Sequence, residues 1–254
     1  HPIAKAQEVR RLEVEEAGQG AVADTRYTYA IANSQIVKID KLSGRRISSW
    51  KGDSREFIHM NSCAWEGTML VCAASNYPAV PMASSAEWFD VQSMRHVRSH
   101  SFGPGRGSLT WLDWHNGSWW ACFANYDGKG GEPGRDHRWT TLVRYDRAFA
   151  EQGAWLFPEQ VLERFAPYSS SGGSWGSDGL LYVTGHDRPE LYVLRLPTAG
   201  SRLQYVGTIA IPTNGQAISW DPQDPRILWS IERRAKQVVA SRIPIITPVP
   251  TDKP

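Results

Sequence analysis

The stretch GSLTWLDWHNGSWWACFAN, from Gly107 to Asn125, reads as two apolar strands folded about Asn116-Gly117. Asn-Gly between alternating apolar runs is the strongest short-range signal for a two-residue hairpin. A small or polar residue opens the unit, and the second strand ends on small and polar residues. The same pattern recurs in GAVADTRYTYAIAN from Gly20 and NSCAWEGTMLVCAASN from Asn61, then in GGSWGSDGLLYVTGHD from Gly172 and GQAISWDPQDPRILWSIE from Gly215. Turn-forming residues interrupt these units too, at Asp24-Thr25, Asp178-Gly179 and Asp221–Pro225.

After each hairpin comes a third strand: QIVKID, SAEWFD, TTLVRYD, ELYVLRL and QVVASRI. Fourth strands follow in RRISSW, HVRSHSF, GAWLFP and QYVGTIAIP. Openings lie about 40 to 65 residues apart, a spacing that holds four short strands and their turns. The pattern predicts an all-β, five-bladed β-propeller in a single domain. Its blades cover about 20–52, 58–103, 107–158, 168–212 and 215–245, ahead of a polar tail at 246–254. The fifth unit holds only three strands. QEVRRLEVEE, residues 7–16, alternates apolar and charged residues and is expected to supply the missing outer strand, closing the ring. Helical periodicity is confined to PEQVLERFA, residues 158–166.

The run Val37-Lys38-Ile39-Asp40-Lys41-Leu42-Ser43-Gly44, apolar alternation ending in Asp and a turn, resembles the repeats of secreted propellers of the YncE and NHL type. The resemblance spans nearly the whole chain. It implies the fold and an exported setting, but brings no catalytic residues with it.

Composition narrows the partners. Net charge is +2, and the basic pairs Arg10-Arg11 and Arg233-Arg234 are not the concentrated stripe that nucleic acid requires. No run approaches the roughly 18 apolar residues of a membrane span. The chain opens at His1 without Met, which reads as a processed or trimmed start. Counting outward from Gly67-Thr68 pairs Glu66 with Met69 and then Cys63 with Cys72. That register suits a disulfide, and hence a secreted or periplasmic protein; two small buried thiols are the other reading.

In a propeller, the loops leading into the innermost strands and those leaving the second strands share one face, so residues distant in sequence meet there. On this reasoning His59, His186, Tyr77 and Tyr126 are candidate acid–base groups. Asn61, Asn76, Asn125 and Gln216 are candidate ligand contacts, flanked by Asp127, Asp187, Glu232 and Arg233. Two long loops, YPAVPMASSA after Asn76 and DGKGGEPGRDHR after Tyr126, extend the same face. No G-x-S-x-G, HExxH or GxGxxG motif occurs. The residue set suits an enzyme acting on a carbohydrate, a lyase or a glycoside hydrolase, on a small-molecule or oligosaccharide ligand. A divalent cation is the one cofactor such a site would call on. A non-catalytic carbohydrate- or protein-binding propeller is the alternative.

Overall fold

The computed structural model describes residues 1–248, so the last part of the polar tail, 249–254, lies outside it. Five sheets form a ring. Ahead of the first blade come β1 (Ala4–Lys5) and β2 (Gln7–Glu13). Blade one is β3 (Gly20–Ala23), β4 (Tyr27–Ala32), β5 (Gln35–Asp40) and β6 (Arg46–Lys51). Blade two is β7 (His59–Glu66), β8 (Met69–Ser75), β9 (Ala83–Asp90) and β10 (Arg95–Pro104). Blade three is β11 (Ser108–His115), β12 (Ser118–Ala124), β13 (Thr141–Tyr145) and β14 (Glu151–Leu156), followed by the short helix α1 (Glu159–Phe165). Blade four is β15 (Gly172–Trp175), β16 (Leu181–Thr184), β17 (Glu190–Arg195) and β18 (Gln204–Ala210). Blade five has β19 (Ser219–Trp220), β20 (Ile227–Glu232) and β21 (Gln237–Arg242), with β2 as its fourth strand.

The closing strand pairs antiparallel with β21, from Gln7 opposite Arg242 to Glu13 opposite Gln237. Its Leu12, with Val14 and Ala17 beyond it, is buried against Val37, Trp229 and Val238. The strap extends further than the alternation in residues 7–16 suggested. β1 lies parallel to β18, with Ala4 opposite Ile209, so the first thirteen residues stitch blade four to blade five.

Small residues open the units because the inner strands converge there. A Cβ on Gly20 would stand 2.4 Å from that of Ala217, and one on Gly172 would stand 2.6 Å from the Gln216 carbonyl. At the other end of each inner strand a second repeat emerges. Val22, Ala64, Asp113, Ser174 and Ser219 pair with Tyr29, Val71, Trp120, Tyr182 and Trp229 on the second strand. Four of these partners are aromatic, and each returns a hydrogen bond to its own hairpin turn. Tyr29 donates to Asp24 (2.8 Å), Tyr182 to Asp178 (2.5 Å), Trp229 to Asp221 (2.9 Å) and Trp120 to the His115 carbonyl (3.3 Å). Blade two, which has Val71 there, carries the Cys63–Cys72 disulfide instead, with the Cα atoms 4.0 Å apart in the expected register. Cys122 is a buried free thiol on blade three. No helix among the described residues is long and apolar enough to cross a membrane.

Candidate functional site

The face that carries the strand lead-ins and second-strand exits gathers most of the expected residues into two adjoining groups. In the first, His59 at the start of β7 lies 4.9 Å, ring centre to centre, from Tyr77, and Tyr77 meets Tyr126 edge-on at 5.4 Å. The loop after Tyr126 closes over this group. Gly130, at φ +79°, sits so close to the Tyr77 ring that an added Cβ would be 2.4 Å from it. The two long loops are tied together by the Met82 amide, which donates to Glu132 at 2.7 Å. Burial, with the nearby Tyr168 phenol, raises the pKa of Tyr77, while Arg233 opposes the rise. Burial likewise raises Tyr126, against a hydrogen bond with Ser108.

The second group surrounds a cavity of about 810 Å³ lined by His186, Asp187, Gln216, Glu232 and Arg233, together with Asn214 and Arg234. The His186 Nδ1 lies 2.6 Å from the Asp187 carboxylate, and its ring stacks on Tyr168 with centroids 4.1 Å apart. With Nδ1–H donated to Asp187, Nε2 is the free acceptor. Among the described residues, neither the Arg233 nor the Arg234 guanidinium has a protein acceptor. Arg233 links the groups, because its charge acts on both His59 and Tyr77.

Burial first, and Arg233 second, lower the His59 pKa from 6.5 to about 4. Between those values the unfolded chain binds a proton that the folded chain excludes. Stability is therefore complete above pH 6.5 and falls as the pH drops toward 4. Wild type should lose roughly 2–3 kcal/mol more than His59→Gln between pH 7 and 4. Denaturant titrations at both pH values check this, and equal losses would show that His59 is not shielded.

Three amides expected to face a ligand are engaged by the backbone. Asn76 accepts from the Ala83 amide (2.9 Å) and donates to the Pro81 carbonyl (2.9 Å), holding its own loop. Asn125 donates to the carbonyls of Arg106 (3.1 Å) and Trp139 (3.3 Å). Gln216, at φ +66°, donates to the His186 carbonyl at 3.1 Å and so fixes the loop that presents the imidazole, while still lining the cavity. Asn61 is buried, with its Nδ2 unpartnered. Asp127 turns to its own loop, accepting from the His137 amide and lying 2.7 Å from His137 Nδ1. Asp127, Asp136 and His137 bring their ligand atoms within 4.8 Å of one another, the one grouping among the described residues with metal-ligand geometry. Asp136, however, is already paired with Arg138 at 2.8 Å. Asn214 and Arg234 were not anticipated; both sit in the loops around blade five, where the basic pair was the only signal.

No family model and no curated protein matches this sequence. Solved structures do resemble it. A luciferin-regenerating enzyme superposes with a TM-score of 0.59 over 95% of both chains at 10% identity. The Cps50 (Swd1) β-propeller domain of Myceliophteria thermophila gives 0.52 over 94% of this chain and 100% of that one, also at 10% identity. A chain of a mitotic checkpoint complex gives 0.51 over 96% of this chain and 98% of that one, at 11% identity. The likeness is one of fold. Function has to be argued from the site.

Proposed function

We propose that this face is the active site of a carbohydrate-active enzyme, a lyase that cleaves an acidic sugar chain by β-elimination. The observation that carries the reading is the His186–Asp187 pair opening onto a cavity with two arginines that, among the described residues, have no protein acceptor. A uronate carboxylate placed on Arg233 has its charge neutralised, which acidifies the adjacent C5–H. His186 Nε2 takes that proton, and Asp187 stabilises the imidazolium that forms. The C5–H electrons become the C4=C5 double bond, the C4–O bond breaks, and the leaving oxygen receives a proton from a phenol, the role we assign to Tyr77 of the adjoining group. Tyr168 holds the His186 ring flat. The Cys63–Cys72 disulfide supports a secreted or periplasmic setting for such an enzyme.

Incubation with polygalacturonate, alginate and hyaluronan, followed by ultraviolet absorbance of the unsaturated product, tests this. His186→Ala should lower kcat by about 10²-fold or more, and Arg233→Met should lower kcat and raise KM together. New reducing ends without unsaturation would instead support glycoside hydrolysis through Glu232 and Asp187, which line the same cavity. Saturable binding without turnover would support the non-catalytic module.

A further inference from the structure

The far end of the axis holds a smaller cavity of about 210 Å³, to which the inner strands of all five blades contribute. It lies where those strands run into their hairpin turns, away from the lead-in loops that carry His59 and Gln216. Its walls come from the repeat position occupied by Val22, Ala64, Asp113, Ser174 and Ser219. Four blades fill that position with an uncharged residue, so the blade itself does not require an acid there. Among the described residues, Asp113 is the one ionisable side chain lining the cavity, and no Lys or Arg faces it. The Asp113 Oδ2 accepts the Trp175 amide at 2.7 Å, whereas Oδ1 has only the Ser174 hydroxyl, at 3.5 Å. The next residue along each strand is Trp65, Trp114, Trp175 or Trp220 in four of the blades, and all four line the cavity.

From this arrangement we infer a second binding site, at the mouth of the axis opposite the candidate active site, that takes a small organic cation: a primary alkylammonium group held by Asp113 and enclosed by tryptophan. Among the described residues the carboxylate has no counter-ion, which the ligand would supply, and the indoles suit both a short alkyl body and a positive charge. The negative charge of Asp113 separates this site chemically from the arginine-lined cavity.

Burial raises the Asp113 pKa to about 7, against the hydrogen bonds from Trp175 and Ser174. An empty site therefore holds a half-protonated acid near neutrality, and a bound cation would displace the proton. Of the ionisable groups packed nearby, His115 stacks on Trp175, and Arg147, Arg226 and Arg144 lie over Trp114, Trp220 and Trp120; none of them lines the cavity.

The test titrates n-propylammonium chloride, with n-propanol as the neutral control of the same length, followed by tryptophan fluorescence and calorimetry. Saturable binding of the ammonium at pH 8.5, at least tenfold weaker at pH 5.5 and absent for propanol, is expected. Asp113→Asn keeps an acceptor for the Trp175 amide but removes the charge, and should abolish binding while leaving lyase or sugar-binding activity unchanged. No saturable binding in wild type, equal binding at the two pH values, or undiminished binding in a folded Asp113→Asn protein would each overturn the proposal. Should that variant not fold, the wild-type pH comparison and the propanol control still decide it.

Discussion

Deletion of residues 1–17 is expected to lower the melting temperature by roughly 10–20 °C, the shift that about 5 kcal/mol produces in a domain of this size. The segment is an integral part of two blades. Removing it strips β2 from β21 and β1 from β18, exposing both edges. It also uncovers the apolar surface under Leu12, Val14 and Ala17, where each larger side chain is worth about 1.5–3 kcal/mol. With total stability normally only about 5–15 kcal/mol, that loss is a large share of the whole. Thermal melts by circular dichroism measure it, and a synthetic 1–17 peptide added in trans should recover part of the loss. An unchanged melting temperature would mean that the strap is not part of the closed ring.

Gly215→Ala should cost about 2–5 kcal/mol and disturb the site as well. Gly215 has φ +62°, where an L-residue loses about 1–2 kcal/mol. Its Cβ would stand 2.3 Å from the Gly185 carbonyl and 2.5 Å from that of His186, backbone atoms that cannot swing aside as a side chain would. Relieving such overpacking typically costs a further ~1–3 kcal/mol. Because the clash falls on the segment carrying His186, ligand binding or turnover should fall together with stability. Gly179→Ala provides the control, since Gly179 has φ +78° but nothing within 4 Å of an added Cβ. It should cost only about 1–2 kcal/mol and leave the site intact. Equal losses in the two variants would remove the steric argument.

The ring could be read in the sequence because packing demands repeat from blade to blade. Glycine stands where inner strands nearly touch, and a two-residue turn put Cys63 opposite Cys72. The site was legible in position rather than in role. Topology brought His186, Asp187, Gln216, Glu232 and Arg233 to one cavity, but an amide at a loop mouth serves ligand or backbone equally well on paper. Asn76 and Asn125 donate to nearby backbone carbonyls, and Asn76 also accepts from the Ala83 amide. Asp113 escaped notice for the opposite reason. In W-L-D-W it reads as one polar residue in an apolar strand, and only alignment of the five hairpins by register exposes it as the single acid at that position.

The strap also imposes an order on biosynthesis. The outer strand of the last blade is made before the four blades that separate it from its partner, which ends only at Arg242. At roughly 5–20 residues per second, β2 waits on the order of 10–50 s for β21 to emerge. Through that interval it is an unpaired strand beside four blades already able to stack. Glu8, Arg10, Arg11 and Glu13 punctuate it with charge, the composition that keeps a bare edge from joining the wrong sheet. The residues that finish the ring are thus also built to survive the wait for it.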